Sequence, residues 1–335
     1  MKTRNPDGKI VPVGIIGLGK YLPEKILTNQ DFEKMVDTTD EWITTRSGIK
    51  ERRIVSDGQA TSDLGVNASR AALAQAGLQP EDVELIIVAT ITPDMPFPAT
   101  SCFVQEKLGA RGAACFDISA ACSGFVHGIA IAQQFLSTKT YRNALVIGAE
   151  TLTPIIDWKD RSTCVLFGDG AGAAVLAPVK ENEGILATHL GSAGEYAELL
   201  MVPGGGSRYP TTQKTLEENL HCMKMNGSEV FKLAVRLMTE SVERVLELSG
   251  HDLKEVACLI PHQANIRIIQ AVAERLDIPM SKIYLNLERY GNMSSASCVT
   301  ALCEAVEDGY VKKGDLVVLV AFGGGIVWGS CVIRW

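Results

Sequence analysis

SDLGVNASRAALAQAGLQPEDVELIIVAT, residues 62–90, and SEVFKLAVRLMTESVERVLELSGHDLKEVACLIPHQ, residues 228–263, pass through the same order of events. Each opens with helical spacing and breaks at a glycine. A short segment with acidic residues follows, then an apolar run that hardly alternates, which is the pattern of a strand buried on both faces. The order continues beyond both stretches. A helix ending at EKLG (106–109) answers one ending at AERLD (273–277), and each is followed by a turn of small residues that enters a further helix. From Leu108 to Cys122 is 14 positions and from Leu276 to Asn292 is 16. Both halves then close on an apolar, Gly-rich, apolar run read as a hairpin, CVLFGDGAGAAVL (164–176) and LVVLVAFGGGIVWGSCVI (316–333). The expected architecture is therefore α/β and made of two copies, residues 1–180 and 181–335, with the seam at the polar VKENEG (179–184).

Within the first copy, Val13–Gly17, Leu85–Ala89, Ala114–Ile118, Ala144–Gly148 and Cys164–Leu166 read as buried strands. Ser62–Ala76, Ala99–Leu108 and Gly124–Leu136 read as helices. The long MVPGGGSRYPTTQKT (201–215) reads as a surface excursion of the kind that is often functional.

Composition bounds the function. The 335 residues are 46% hydrophobic and 21% charged, and 32 Lys and Arg against 39 Asp and Glu leave a net charge of −7, the wrong sign for a chain-wide nucleic-acid footprint. The opening MKTRNPDGKI has no apolar stretch behind its basic residues, so no secretory signal is expected. The longest nearly apolar run, around 316–328, is broken by Gly323, Gly324 and Gly325 and falls short of the ~20 residues of a membrane span. Nine scattered cysteines without a CxxC pair point to reduced, mostly buried thiols in a cytoplasmic protein, not to disulfides or a metal cage. VGIIGLGKYLP and GDGAGA (168–173) lack the further residues of dinucleotide and phosphate loops, and there is no HExxH.

Three residues stand out. Cys122, in FDISAACSGFVHGIAIAQQF, sits where a strand turns into a helix among small neighbours, and the positive helix end favours thiolate over thiol. His262, in CLIPHQANIRI, follows the end of a strand, where sites open in α/β sheets. The other histidines, His127, His189, His221 and His251, have no comparable setting. Asn292, in RYGNMSSASCVTALCEA, lies in the second copy's version of the Cys122 turn. A pseudo-twofold axis would bring the two turns together. The bare backbone at Gly323–Gly325 allows close approach to the same seam, and an N–H from it, paired with that of Cys122, could form an oxyanion hole.

ACSGF around Cys122, PHQANIRI around His262, GNMSSAS around Asn292 and the closing AFGGGIVWGS together resemble β-ketoacyl-acyl-carrier-protein synthase III, of the thiolase superfamily. The resemblance extends over essentially the whole chain, including DEWITTRSGIKERR (40–53) and DRSTCVLFGDGAGAAVL (160–176). It implies a five-layered αβαβα sandwich of two similar halves, assembled as a homodimer. It also implies an acyltransferase that joins an acyl group from acyl-CoA to malonyl-acyl-carrier protein with loss of CO2, opening fatty-acid biosynthesis. No cofactor is implied, since acyl-CoA is a substrate. Cys122 would be the nucleophile, with an oxyanion hole at the N–H groups of Cys122 and Gly324. His262 and Asn292 would donate to the malonyl thioester oxygen. By the same resemblance Trp42 and Arg161 stack on the CoA adenine, while Thr38, Arg46, Gly227 and Asn265 line its phosphate and pantetheine path. Phe97, in MPFPAT, would reach across the dimer to bound the partner's acyl pocket, favouring short primers. Lys232, Arg236, Arg267 and Arg275 would receive the acidic carrier protein. Two positions depart from the family: Glu274 stands where a second basic residue is common, and Met293 where Thr is more usual. A related enzyme of secondary metabolism, without the carrier-protein patch, is the alternative within the superfamily. A Cys–His–Asn hydrolase and a non-catalytic CoA-binding protein are the alternatives outside it.

Overall fold

A computed structural model describes residues 10–335. The expectation about a secretory signal concerns residues 1–9, which lie outside the described residues.

The chain folds into five layers, αβαβα. The first sheet runs in the order Val13–Tyr21, Gly170–Pro178, Ala144–Glu150, Leu85–Ala89, Ala114–Ile118, and the second in the order Val256–Pro261, Leu316–Gly323, Val327–Arg334, Gly184–Ser192. Read from the other end, the second sheet repeats the first, and an isolated parallel bridge between Leu259 and Ile283 stands where the first sheet has its fifth strand. Helices Thr61–Ala76 and Thr100–Leu108 cover the outside of the first sheet around Leu64, Leu73 and Val104. Helices Gly227–Ser249 and Ile266–Leu276 cover the outside of the second around Val242, Leu246 and Ile269. Between the sheets lie Gly124–Ser137 and Ala296–Glu307, whose Phe125, Ile129, Val299 and Leu302 join both sheets in one core.

The small residues have a packing reason. A Cβ on Gly17 or Gly19 would lie 2.4 or 2.2 Å from a carbonyl oxygen of helix Thr61–Ala76 (Ala72 O and Ala68 O), so the GLG motif lets that helix seat directly on the strand. The two outer helices that answer each other end alike, in the left-handed region: Gly109 at φ +87° and Asp277 at φ +54°.

Three expectations need correction. Cys164–Leu166 is not a strand. It lies in the helical turn Arg161–Cys164 and the residues after it, capped by the Asp160 carboxylate, which accepts the Ser162 N–H. Only Gly170–Pro178 of the first Gly-rich run is a strand, so that run is not a hairpin, whereas Leu316–Gly323 and Val327–Arg334 do pair as one. Ala114–Ile118 is a strand as expected, but it forms a half-exposed sheet edge and not a buried member.

Candidate active site

Cys122 lies in the short 3-10 turn Ala121–Ser123 that leads into helix Gly124–Ser137. The turn is tight: Ala121 takes φ +43°, a left-handed conformation that a residue with a Cβ adopts only under constraint. The constraint comes from the hairpin of the other sheet. A Cβ built on Gly323 would lie 2.6 Å from the Cys122 backbone nitrogen, so only a glycine leaves that nitrogen room. The Cys122 and Gly324 N–H groups are both within hydrogen-bond reach of the sulfur. They are the two donors expected of the oxyanion hole.

Burial works against the expected thiolate. Burial pushes the Cys122 thiol up to about 12, and the two N–H groups pull only partly the other way. Desolvation of the charged form is the largest influence, ahead of the Ser294 hydroxyl and the backbone N–H groups, which favour the thiolate.

His262 follows strand Val256–Pro261, and its backbone N–H donates to Val320 O at 2.8 Å. The next residue locks the loop: Gln263 Nε2 donates to Pro261 O and Tyr284 O, and its Oε1 accepts the Asn286 and Leu287 N–H groups. The imidazole is buried and neither ring nitrogen has a hydrogen-bond partner. Burial pushes its pKa down to about 3, so the ring is neutral at physiological pH and presents one N–H donor.

Asn292 is held on three sides. Its N–H donates to Leu166 O at 2.9 Å, its carbonyl accepts from Gly168 N–H at 3.1 Å, and its side-chain Oδ1 accepts the Ser294 N–H at 2.8 Å. Among the described residues nothing engages its Nδ2. Cys122, His262 and Asn292 line one cavity of about 720 Å³, together with Trp42 and Arg46. A second cavity of about 360 Å³, walled by Ile91, Leu152, Leu200 and Met223, meets the first at Cys122. The sulfur thus stands between a polar-ended tunnel and an apolar pocket.

The remaining expected residues divide. Gly227 begins helix Gly227–Ser249, and Asn265 caps helix Ile266–Leu276 by accepting the Arg267 N–H; both line the large cavity, as do Lys232 and Arg267. Arg161 is not among the residues lining either cavity; its guanidinium lies 4.8 Å from the centroid of the Trp42 ring, which does line the large one, and it donates to Asp37 O at 2.5 Å. The two are in direct contact, so a ring could enter between them only after Arg161 moves. Arg46 also lies 4.8 Å over Trp42. Thr38 lines neither cavity, and its hydroxyl is buried without a partner. Phe97 lines neither cavity within one chain and is 85% exposed. The basic patch is partly neutralised: Lys232 pairs with Glu229 at 2.7 Å and Arg236 with Glu240 at 4.0 Å, while Arg267 and Arg275 are exposed. Met293, the departure beside Asn292, is buried against Tyr290 and Ala296 and leaves the Asn turn intact.

Sequence reasoning missed Glu150, Ser294 and the distinct part of Gly323. The strand end at Glu150 and the SS pair after Asn292 were visible, but their meeting across 144 residues was not.

Residues 116–194 match the family described as 3-oxoacyl-[acyl-carrier-protein (ACP)] synthase III, and residues 246–335 match that family's C-terminal region. The chain is 58% identical over 325 residues to the beta-ketoacyl-[acyl-carrier-protein] synthase III of Caldanaerobacter subterraneus subsp. tengcongensis, covering 97% of this chain and 98% of that one. It is 56% identical over 322 residues to the protein of the same name from Clostridioides difficile, covering 96% and 98%. Among solved structures it is similar to the 3-oxoacyl-[acyl-carrier-protein] synthase III of Aquifex aeolicus, with TM-score 0.90, 48% identity and coverage of 96% and 100%.

Proposed function

The chain belongs to the 3-oxoacyl-[acyl-carrier-protein] synthase III family, and from that premise we propose how its cavity carries the reaction. The enzyme is an acyltransferase: it condenses an acyl-CoA primer with malonyl-acyl-carrier protein, giving 3-oxoacyl-acyl-carrier protein, CoA and CO2, and so initiates fatty-acid biosynthesis.

In the first half-reaction the acyl-CoA carbonyl lies over Cys122 with its oxygen at the N–H groups of Cys122 and Gly324. Those donors are preorganised, so they stabilise the charge that develops on attack without reorienting. Sulfur bonds to the acyl carbon, the bond to CoA breaks, and the thiol proton leaves with the CoA sulfur. Burial favours the thiol form until substrate arrives.

In the second half-reaction the malonyl thioester oxygen accepts hydrogen bonds from neutral His262 and from Asn292 Nδ2. The carbon–carboxylate bond breaks, CO2 departs, and its electron pair forms an enolate that these donors stabilise. The enolate carbon then attacks the acyl-Cys122 carbonyl, and the released sulfur regains a proton from water. Decarboxylation needs no base, which suits two uncharged donors. A second Cys in place of Asn292 would suit a non-decarboxylating thiolase. The chemistry calls for no cofactor.

We further propose that Trp42, Arg46, Arg161, Gly227, Asn265 and Thr38 receive CoA, with Arg161 swinging off Trp42 to admit the adenine. The carrier protein docks beside the tunnel mouth, at Lys232, Arg236, Arg267 and Arg275. The enzyme works in the cytoplasm as a homodimer, its halves 1–180 and 181–335 contributing Cys122 and the His262–Asn292 pair respectively. The half-exposed edge strand Ala114–Ile118 supports the dimer, since pairing two such edges removes an open ladder. Phe97 of the partner subunit would then close the apolar pocket and restrict it to short primers.

One observation carries the proposal: a buried imidazole with both ring nitrogens unpartnered opens onto the same cavity as Cys122 and Asn292. A buried polar atom without a partner is costly and calls for an explanation, and a thioester oxygen bound in this cavity supplies one. The test is separation of the half-reactions. His262→Ala and Asn292→Ala should still form acyl-Cys122 but lose decarboxylation of malonyl-acyl-carrier protein, and Cys122→Ala should lose acylation. Loss of acylation in Asn292→Ala would contradict the assigned roles.

A further inference from the structure

Glu150 ends the central strand Ala144–Glu150 and is completely buried, with no cation paired to it among the described residues. Burial pushes its pKa up, and a buried carboxylate without a counter-ion is costly unless donors surround it. They do. Oε2 accepts from Thr90 Oγ1 at 3.1 Å, Ile91 N–H at 3.1 Å and Thr92 Oγ1 at 2.7 Å, while Oε1 accepts from Ser294 Oγ at 2.9 Å and faces Ser295 N–H at 3.5 Å. One carboxylate therefore ties a loop of the first half to the turn of the second half that carries Asn292.

That turn is strained. Ser294 takes φ +46°, a left-handed conformation that a residue with a side chain keeps only where its surroundings impose it. From this position the Ser294 N–H donates to Asn292 Oδ1 at 2.8 Å, which leaves Nδ2 as the group turned to the cavity. The Ser294 hydroxyl also lies within reach of the Cys122 sulfur, so its bond to Glu150 decides where its single proton points.

We propose that Glu150 is a positioning residue for decarboxylation: through the Ser294 hydroxyl it holds the 292–295 turn so that Asn292 presents Nδ2 to the malonyl thioester oxygen. This rests on the role proposed above for Asn292. Glu150 touches no reacting atom; its effect is on the angle and distance of a donor, to which rates are steeply sensitive.

A residue that only stabilised the fold would depress both half-reactions together, so the test reads their ratio. Acylation is followed as acetyl adduct formed from acetyl-CoA, and decarboxylation as CO2 released from malonyl-acyl-carrier protein. Ser294→Ala should lower the decarboxylation-to-acylation ratio by about tenfold or more. Glu150→Gln should lower it less, because a carboxamide oxygen still accepts the serine hydroxyl. Ser294→Ala added to Asn292→Ala should produce no further loss. If Glu150→Gln does not fold, Ser294→Ala decides alone, since it leaves the contacts of Glu150 to Thr90, Ile91, Thr92 and Ser295 in place. A ratio within twofold of the parent in the serine variant, with decarboxylation lost in Asn292→Ala, overturns the inference. Decarboxylation retained in Asn292→Ala would instead overturn the role of Asn292 on which it rests.

Discussion

Gly323→Ala tests the geometry of the sulfur most sharply among single methyl groups. Gly323 does not take a positive φ, so backbone strain is not at issue. The added Cβ would meet Cys122 N at 2.6 Å, Ala121 Cβ at 3.0 Å and Ser123 N at 3.2 Å. Restoring ordinary contact, which begins at 3.4 Å, requires a movement of about 0.8 Å, and the atoms in the way are backbone. Overpacking of this kind costs about 1–3 kcal/mol of stability. The larger effect is on catalysis, because what must move is the proposed oxyanion donor, on the residue proposed as the nucleophile. Losing one such donor slows a reaction by about 10²–10³-fold. We expect acylation of Cys122 by acetyl-CoA, followed by intact mass over time, to slow about 100-fold while the protein still unfolds cooperatively. Gly109→Ala is the control: at φ +87° it is strained by the conformation, but nothing lies within 4 Å of its Cβ and it caps a distant helix. It should lose about 1 kcal/mol of stability and keep its acylation rate. Acylation within threefold of the parent in Gly323→Ala would refute the close approach of the hairpin to Cys122.

Three other outcomes follow from the buried groups. His262 is held neutral down to about pH 3, whereas the unfolded chain takes that proton near 6.5; the unfolded state therefore binds more protons between these values, and stability falls as pH drops through the window. Relative to His262→Gln, the parent should lose about 2 kcal/mol between pH 7.5 and 5 in urea unfolding, and equal losses would contradict the burial. Alkylation of Cys122 by iodoacetamide should rise about tenfold per pH unit from 6 to 9 without levelling, and a plateau below pH 8 would mean a thiolate at rest. Arg52 is fully buried, donates to Val165 O and Asn29 Oδ1 and lies 4.7 Å over the Phe32 ring, so Arg52→Ala should cost at least about 3 kcal/mol; a loss under about 1 would show those acceptors find other donors.

Much of this was legible because it is local. The repeated helix–break–strand order, the strands Leu85–Ala89 and Ala114–Ile118, the final hairpin and the turns around Cys122 and Asn292 all follow from short-range pattern. Failures came where a distant partner decides the outcome. The apolar CVL at Cys164–Leu166 looks like a strand because a short apolar run does not distinguish a strand from a helical turn, and Asp160 capping the turn settles it. Ala114–Ile118 has the composition of an inner strand but lies at an edge. The helix end beside Cys122 is readable, whereas the desolvation that opposes a thiolate there comes only with folding, when the hairpin packs against the turn. Glu150 reads as an ordinary strand end until folding brings Ser294 to it.

In the mechanism proposed above, Cys122 carries an acyl group while His262 and Asn292 act on a malonyl thioester in the same cavity. The most direct measurement is the intact mass of the protein after acetyl-CoA and again after malonyl-acyl-carrier protein is added. The account predicts one acetyl group on the peptide containing Cys122, stable alone and discharged into 3-oxoacyl-acyl-carrier protein with release of CO2. An adduct on another residue, or one that water removes as fast as the malonyl substrate does, would contradict it.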